Sequence, residues 1–312
     1  MARIITLTFS PCIDKTTTVP ELIPEKKLRC SDPILQPGGG GINVARAIKK
    51  LGGEAVAVYP AGGYTGKYFN FLLENENVPA IIIGSKNETR ENIIVVDESK
   101  NQQYRFGMPG TELAEDEWQQ CLHKIERSEG VEFIVASGSL PPGVPLDIYA
   151  RLAMIAKRKN AKLIIDTSGE ALKHAANEGV YLLKPNLGEL ASLVGREKIN
   201  TNDIPKVSKE LIDQGVAAIL VISMGEKGAM LVTKEETLHV TPPAVKRKST
   251  VGAGDSMVAG IVLALSKKLS MKDVLQYGVA CGTAATMNAG TELCKKEDVA
   301  VLLEMMHNAE NI

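Results

Sequence analysis

The chain has 312 residues, of which 44% are hydrophobic and 23% are charged, as in an ordinary globular protein with a substantial core. Its formal net charge of -1 gives no reason to expect nucleic acid as a partner. It contains no apolar run of about 18 residues, so no membrane partner is expected either. The five cysteines are scattered without zinc-site spacing, which favours reduced thiols in a cytoplasmic protein.

Short apolar runs that are typical of buried strands alternate with segments of helical periodicity. The predicted strands are residues 4–8, 55–59, 133–136, 163–166, 181–183, 219–223 and 229–232. The predicted helices include residues 43–51, 66–74, 116–125, 146–159, 187–194, 205–214 and 257–265. This alternation predicts an α/β fold with a doubly wound, mainly parallel sheet flanked by helices. Ligands of such sheets bind beyond the carboxyl ends of the strands, where Asp166, Lys184 and Ser223 are expected.

Two strand-rich segments, residues 14–34 and 89–106, interrupt the alternation. Within the second segment, residues 92–96 and 103–106 flank a polar turn and predict a hairpin. So small a sheet is not stable alone, and we expect it to cover one end of the main sheet as a lid. The expectation is therefore a single domain over residues 1–312 with an inserted β lid.

The most informative segment is residues 249–256, which read STVGAGDS and lead into an apolar helix. Gly252, Ala253 and Gly254 allow backbone N–H groups to approach a ligand, and the N terminus of a helix favours phosphate. Asp255 then places a carboxylate base beside that phosphate, as phosphoryl transfer to a hydroxyl requires. The turn alone fits a structural role equally well, because Asp is favoured in the first turn of any helix.

A second glycine-rich turn lies in residues 37–46, which read PGGGGINVAR. It predicts a sugar-binding turn in which backbone N–H groups and the Asn43 amide meet hydroxyl groups. The alternative is that Asn43 only caps a helix after a flexible loop. A third turn, residues 138–143 (GSLPPG), follows a predicted strand, and there Ser139 either contacts substrate or serves the turn alone.

Two further turns have the features of a nucleotide site. In residues 184–190 (KPNLGEL), Asn186 and Glu189 share one face of a helix start, which suits Mg²⁺ with its water shell, and Lys184 can neutralise phosphate. The alternative is a capping box between Asn186 and Glu189. Residues 223–228 (SMGEKG) either cradle a nucleotide phosphate or form only a hairpin turn.

Common nucleotide motifs are absent. Residues 62–68 (GGYTGKY) lack the spacing of a phosphate-binding P-loop and place Tyr68 where a hydroxyl for Mg²⁺ is needed. No dinucleotide fingerprint follows the first strand, and protein-kinase motifs do not occur. A kinase with this sequence therefore belongs to another fold.

In their order and spacing, the motifs together resemble the ribokinase-like (PfkB) sugar kinase family over nearly the whole chain. The resemblance rests on the first strand with Asp14, the turn at 38–43, Ser139, the pair Asn186 and Glu189, and the GAGD turn. Within the family, the all-glycine run with INVAR and the KLRC segment at 27–30 are most similar to the minor bacterial 6-phosphofructokinase branch. The 1-phosphofructokinases and tagatose-6-phosphate kinases usually carry a lysine in that run.

The resemblance implies transfer of a phosphoryl group from ATP, with Mg²⁺, to a sugar phosphate. Fructose 6-phosphate is the expected acceptor, with 1-phosphofructokinase or tagatose-6-phosphate kinase activity as the alternative. Asp255 would be the general base, and Gly252, Ala253 and Gly254 would form the anion hole. The residues holding the sugar phosphate would be Asp14, Lys27, Gly39, Asn43, Arg90 and Ser139. Those along the ATP phosphates would be Lys184, Asn186, Ser223, Gly225 and Gly228, with Glu189 binding Mg²⁺ through water.

The resemblance also implies a loop for a monovalent cation such as K⁺, and a homodimer formed through the lid. The loop would comprise Ser249, Val251, Ala285, Asn288 and Gly290. Two other classes of protein stay open. A non-catalytic sugar-phosphate or nucleotide sensor would be favoured by loss of Asp255, which is present, and an NAD-dependent oxidoreductase would need the missing dinucleotide fingerprint.

Overall fold

The computed structural model describes residues 4–310, and strands and helices alternate along most of this range. The strands are β1 (Ile4–Leu7), β2 (Cys12–Val19), β3 (Ile34–Gly38), β4 (Val56–Ala61), β5 (Ala80–Gly84), β6 (Arg90–Asp97), β7 (Gln102–Phe106), β8 (Phe133–Ser137), β9 (Lys162–Asp166), β10 (Val180–Leu183), β11 (Ala217–Ser223), β12 (Ala229–Val232) and β13 (Thr237–Val240). The helices are α1 (Gly40–Lys50), α2 (Gly63–Asn75), α3 (Glu115–Arg127), α4 (Ile148–Lys159), α5 (Gly169–Ala176), α6 (Leu187–Leu193), α7 (Ile204–Asp213), α8 (Ala253–Ser266), α9 (Met271–Thr286) and α10 (Lys296–Glu310).

A nine-stranded sheet forms the centre of the molecule, in the order β13-β12-β11-β10-β9-β8-β1-β4-β5. All neighbouring strands from β11 to β5 in this order are parallel, whereas β12 and β13 add an antiparallel edge. The prediction of a doubly wound, mainly parallel sheet is confirmed. The parallel strands end at one edge of the sheet, where a ligand site is expected.

Helices cover both faces of this sheet, because its strands are apolar on both sides. Along β8, Phe133 and Val135 join a core cluster with residues of α1, α8, α9 and α10, whereas Ile134 and Ala136 join a second cluster with residues of α3, α4, α5 and α7. Successive side chains of a strand point to opposite faces, so an unbroken apolar run fits burial on both. The two clusters bury the sheet on both of its faces.

Helix α8 is apolar nearly all round, with every residue from Ser256 to Leu265 buried. It packs against both α1 and α9, which explains why it has no polar face. Its first turn, which contains Gly254 and Asp255, and its last residue, Ser266, are partly open. Within residues 4–310, neither this 14-residue helix nor any other is long and apolar enough to cross a membrane.

A second, four-stranded sheet has the order β3-β2-β6-β7 and is called here the small sheet. Its β6 and β7 form the predicted antiparallel hairpin, and β2 pairs with β6 in parallel. The segment predicted at 14–34 differs in detail, because residues 20–33 contain no strand and β3 begins only at Ile34. Pro20, Pro24 and Pro33 explain the gap, since proline lacks the N–H needed for a strand ladder. The single-domain assignment over residues 1–312 stays a prediction.

Candidate active site

Asp255 lies in the first turn of α8, close to the carboxyl ends of β8, β9 and β10. The helix is preceded by Gly252, whose φ of 72° lies in the left-handed region that favours glycine. A Cβ atom at Gly252 would also come within 2.6 Å of Leu293 Cδ2. The turn therefore needs glycine for its own geometry, and it leaves the first N–H groups of α8 unpaired within the helix.

Two side chains donate hydrogen bonds to the Asp255 carboxylate. Asn43 Nδ2 lies 2.9 Å from Oδ2, and Ser137 Oγ lies 3.5 Å from Oδ1. Asn43 does not cap α1, because that helix starts at Gly40 after Gly39 and has no side-chain cap. The NH₂ group of its side-chain amide instead donates to Asp255. This favours a role for Asn43 in the site over the capping alternative.

The pKa of Asp255 is raised from 3.8 to about 6, chiefly because burial penalises the charged form and secondly because of the negative charge of Asp166. The hydrogen bond from Asn43, the positive charge of Lys184 and the hydrogen bond from Ser137 act in the opposite direction. A carboxylate with this pKa is mostly ionised at neutral pH and is a stronger base than an ordinary aspartate. These are the properties required of a general base.

Lys184 forms a buried ion pair with Asp166, with 3.0 Å between Nζ and Oδ1. Burial alone would lower the pKa of Lys184, but attraction to Asp166, and then to Asp255 and Glu189, outweighs it and raises the pKa. The lysine therefore stays charged. Its Nζ lies 3.7 Å from where a Cβ of Gly254 would be, so its positive charge adjoins the N terminus of α8. Both features attract an anion to the same place.

The Asn186 and Glu189 pair forms the capping box considered above. Glu189 N donates to Asn186 Oδ1 at 2.9 Å, and Asn186 N donates to Glu189 Oε2 at 2.8 Å. An isolated parallel bridge also pairs Asn186 with Ser223, so two of the predicted nucleotide turns are adjacent. Although Glu189 takes part in the capping box, its carboxylate still acts on the site, because its negative charge contributes to the raised pKa of Lys184. Carboxylate oxygens beside bound phosphates suit Mg²⁺.

A cavity of about 590 Å³ opens beside these turns. Five of the predicted residues line it, namely Ser223, Gly225, Gly228, Ala253 and Gly254. Its remaining wall includes apolar residues that the sequence did not indicate, among them Pro242, Val245, Met257 and Val279. An apolar slot that continues into a phosphate-binding turn has the size and chemistry for a nucleotide.

The four glycines at 38–41 pack against the protein's own chain. A Cβ at Gly40 would come within 2.6 Å of Gly138 N, and one at Gly41 within 2.5 Å of Leu7 O. One at Gly38 would overlap the Asp14 carboxylate, and Gly39 has a φ of 111°. The glycines are therefore needed so that the start of α1 can pack closely against the strand ends. This packing brings Asn43 to the carboxyl edge of the sheet.

Among the residues predicted to hold the sugar, Asp14 is buried in β2 and accepts hydrogen bonds from Asn92 Nδ2 at 2.9 Å and from Cys12 Sγ at 3.4 Å. Burial raises the pKa of the Cys12 thiol, which keeps it protonated as a donor. Arg90 begins β6, where it donates to Met108 O at 2.8 Å and to Ser10 O at 3.3 Å. These contacts hold the guanidinium group at the junction between the small sheet and the main sheet.

Two predicted sugar residues lie apart from these contacts. Ser139 is exposed, and the hydroxyl that meets Asp255 belongs to Ser137, two residues earlier at the end of β8. Ser137 was missed because its position at a strand end resembles that of any buried serine. Lys27 is exposed in the connection from β2 to β3, and within residues 4–310 no hydrogen bond or ion pair joins it to the other predicted sugar residues.

The predicted cation loop is held together by hydrogen bonds to backbone groups. Ser249 Oγ donates to Gly290 O at 2.7 Å and accepts from Val251 N at 3.2 Å. The Asn288 amide donates to Ala284 O at 3.3 Å and to Leu293 O at 3.0 Å, so it braces the loop. Ala285 lies at the end of α9, where its carbonyl accepts from Asn288 N. Loops rich in carbonyl oxygens near a phosphate site suit a monovalent cation.

A carboxylate base therefore adjoins an anion-binding helix N terminus, a buried lysine and a cavity of nucleotide size. Positioning and charge stabilisation of this kind are what phosphoryl transfer to a hydroxyl requires. The fold and the site together define an α/β phosphotransferase.

Comparison with known proteins agrees with this class. The model of the pfkB family carbohydrate kinases matches residues 7–298, and the chain belongs to this family. It is 46% identical over 299 residues to ATP-dependent 6-phosphofructokinase isozyme 2 of Escherichia coli strain K12, covering 96% of this chain and 97% of that protein. A 1-phosphofructokinase of Bacillus subtilis strain 168 is 31% identical, with 96% of this chain and 97% of the relative covered.

Solved structures show the same relationship. The structure of phosphofructokinase-2 from Escherichia coli in complex with fructose-6-phosphate has a TM-score of 0.93 and 44% identity, and it covers 98% of this chain and 100% of that one. The same relative has been solved in complex with potassium, with a TM-score of 0.94 and 45% identity over 98% and 100% of the two chains. Its tetrameric inhibited form gives a TM-score of 0.92 with 44% identity and the same coverage.

Proposed function

We propose that the chain catalyses the ATP-dependent phosphorylation of fructose 6-phosphate to fructose 1,6-bisphosphate. The observation that carries the proposal is the placement of Asp255 at the open N terminus of α8. There its pKa is raised to about 6, and the two residues before it, Ala253 and Gly254, line the nucleotide-sized cavity. The similarity to 6-phosphofructokinase isozyme 2 supports the choice of reaction.

In the proposed reaction, Asp255 takes the proton from the acceptor hydroxyl as that oxygen attacks the γ-phosphorus of ATP in line. The bond from the γ-phosphorus to the β–γ bridging oxygen breaks, and ADP leaves with that oxygen. The N–H groups of Gly252, Ala253 and Gly254 stabilise the charge on the transferring group, and Lys184 adds a positive charge beside them. General-base catalysis of this kind contributes about 10²–10⁴ in rate. The remaining acceleration comes from holding the two substrates in line.

The nucleotide would lie along Lys184, Asn186, Ser223, Gly225 and Gly228, with its base in the apolar part of the cavity. Bound Mg²⁺ would neutralise charge on the phosphates, and Glu189 would hold it through water. The donor set fits this ion, because the Glu189 carboxylate lies in the same turn as Lys184 and its negative charge contributes to the raised pKa of that lysine. We propose a K⁺ site at the loop of Ser249, Val251, Ala285, Asn288 and Gly290, supported by the potassium complex of the relative.

The sugar phosphate would lie between the two sheets. Asp14, Gly39, Asn43 and Ser139 would meet its hydroxyl groups, and Arg90, with Lys27 from the lid, would bind its phosphate. Arginine suits this task because its planar fork binds phosphate in a bidentate fashion and is always charged. Fructose 1-phosphate and tagatose 6-phosphate are the second candidates, since a 1-phosphofructokinase is also similar over nearly the whole chain.

We further propose that the small sheet is a lid inserted in a single domain and that it forms a homodimer interface. Ile34, Ile93, Phe106 and Met108 are exposed apolar residues on or beside the small sheet, as an interface requires. The tetrameric form of the relative makes a larger assembly the competing outcome. A cytoplasmic location is supported by the cysteines, all five of which are free and within the described residues.

The test is an ADP-release assay with MgATP and five acceptors: fructose 6-phosphate, fructose 1-phosphate, tagatose 6-phosphate, fructose and adenosine. Each acceptor is measured with K⁺ and with a tetramethylammonium salt at equal ionic strength. The highest kcat/KM is expected with fructose 6-phosphate. A clear preference for another acceptor would contradict the substrate assignment, and no turnover of any acceptor would favour the sensor hypothesis.

A further inference from the structure

A fully buried arginine lies behind the asparagine that bonds the proposed base. Arg46 is 1% exposed and lies on α1, one helical turn after Asn43, so that both face the same side of the helix. Its Nη1 atom donates to Asn43 Oδ1 at 3.2 Å and to Pro37 O at 2.6 Å. A buried guanidinium group with such partners has a strongly restricted orientation.

Within residues 4–310, the carboxylate that pairs with the charge of Arg46 is that of Glu76, just after α2. Arg46 Nε lies 3.0 Å and 2.9 Å from the two carboxylate oxygens, and Nη2 lies 2.6 Å from Oε1. This is a bidentate ion pair between a buried cation and a carboxylate that is 28% exposed. Glu76 therefore holds the guanidinium group in the rotation that presents Nη1 to Asn43.

The orientation of the Asn43 amide follows from these donors. An amide has one accepting end and one donating end, whereas a guanidinium group can only donate. Because Arg46 occupies the position next to Oδ1, the donating end must point the other way, towards Asp255 Oδ2 at 2.9 Å. With the amide reversed, the Oδ1 atom of Asn43 would face a carboxylate and its NH₂ group would face a cation.

We propose that Arg46 and Glu76 are positioning residues for phosphoryl transfer, whose ion pair locks the Asn43 amide so that it always donates to Asp255. The inference rests on the proposed function, in which Asp255 is the base. The other titratable groups facing Asp255 are Asp166 at the end of β9, Lys184 after β10 and the Cys12 thiol of β2. Asp166, Lys184 and Cys12 act on Asp255 directly and not by way of Arg46. The effect of the Arg46–Glu76 ion pair on Asp255 can therefore be measured separately from their effects.

The test is the pH profile of kcat for the wild type and for Glu76→Gln, Asn43→Ala and the double variant. Loss of the hydrogen bond to the ionised carboxylate makes Asp255 easier to protonate, so the acidic limb of the profile should move to higher pH. A shift of about 1 pH unit is expected for Glu76→Gln, with a loss of activity near pH 6 of about fivefold. Arg46→Lys should shift the limb in the same direction, because lysine cannot reproduce the fork.

The double variant separates positioning from a general structural effect. If Glu76 acts through Asn43, Glu76→Gln should cause no further shift of the limb once Asn43 is alanine. Glu74→Gln is the matched control, since Glu74 is exposed on α2 two residues away, and it should keep the wild-type profile. An unshifted limb in Glu76→Gln, or an equal shift in the Asn43→Ala background, would overturn the proposal.

Failure of the proposed function would be recognised separately, as absence of wild-type turnover. The positioning claim would then be tested by ¹³C NMR titration of the Asp255 carboxyl, assigned with Asp255→Asn. A titration midpoint that is higher in Glu76→Gln than in the wild type would support the claim. An unchanged midpoint would contradict it.

Discussion

Asn43 Nδ2 donates to Asp255 Oδ2 at 2.9 Å, although the two residues are 212 positions apart in the chain. The contact joins the first turn of α1 to the first turn of α8. Both turns come together only where the parallel strands between them have assembled. The proposed base is therefore complete only in the folded sheet, and changes at either turn should affect the same chemical step.

Arg90→Ala should raise the KM for the sugar phosphate at least about tenfold, because a bidentate, charged contact to its phosphate is lost. The KM for MgATP should change far less. Lys100→Ala is a suitable control, since Lys100 lies in the β6–β7 turn and pairs only weakly with Asp97, at 3.8 Å. Equal increases in both KM values would contradict the assignment of Arg90 to the phosphate.

Lys184→Met should raise the KM for MgATP about tenfold or more and lower the stability of the fold. The loss of stability should be about 3 kcal/mol, because Asp166, which is 16% exposed, is left as a largely buried charge without its partner. Lys173→Met removes an exposed lysine that pairs with Glu170 at 2.8 Å, and it should cost about 1 kcal/mol at most. Denaturant unfolding and steady-state kinetics measure both effects. A Lys184→Met enzyme with the wild-type KM for MgATP would contradict the assignment of Lys184 to the ATP phosphates.

Gly40→Ala should reduce stability by about 2 kcal/mol, because the new methyl group would overlap Ser137 and the backbone of Gly138. The relief of this overlap moves α1 and with it Asn43, so kcat should fall at least about tenfold. Gly84→Ala is the matched control, since a Cβ there meets nothing within 4 Å. Wild-type kcat in Gly40→Ala would show that the close packing of α1 on the strand ends does not position Asn43.

Asp255→Asn should stabilise the fold above about pH 6. The folded-state pKa of about 6 exceeds the ordinary value of 3.8, so the folded protein favours the protonated carboxyl group. Ionisation of Asp255 therefore costs stability above that pKa, and the cost disappears as the pH falls from about 6 towards 4. The Tm of the variant should exceed that of the wild type at about pH 8, and the two should converge at about pH 4.

The control for this comparison is Asp213→Asn, at an exposed position at the end of α7. It should change the Tm little at either pH. A Tm of Asp255→Asn below that of the wild type at the higher pH would contradict the environment described for Asp255.

Local sequence patterns were sufficient to predict most of the main sheet, because its buried strands are short apolar runs with turns between them. Strand β5 (Ala80–Gly84) and strand β13 (Thr237–Val240) were missed. Both lie at edges of the sheet, where one face of a strand is partly exposed and the burial pattern is weaker. The start of α8 was placed late, at residue 257, because the glycine turn conceals its first helical residues.

The site was predicted less completely than the fold. Motifs and family resemblance pointed to Asp255, Asn43 and Lys184, which the structure brings together around the first turn of α8. Local spacing could not reveal Ser137, since its partner Asp255 is 118 residues away in the chain. It could not reveal the proposed role of Glu76 either, since the partner of Glu76 is Arg46 on another helix. Part of the apolar wall of the cavity, including Pro242 and Val245, follows β13 in a segment without periodicity, so no sequence pattern marked it.

The most direct test of the account is single-turnover phosphorylation of fructose 6-phosphate by Asp255→Asn. The variant keeps the shape of the side chain and removes the base, so the rate should fall about 10²–10⁴-fold. Nucleotide affinity, measured by calorimetry with MgADP, and the circular dichroism spectrum should stay as in the wild type. A folded Asp255→Asn protein that phosphorylates the sugar within about twofold of the wild-type rate would contradict the role of Asp255 as the general base.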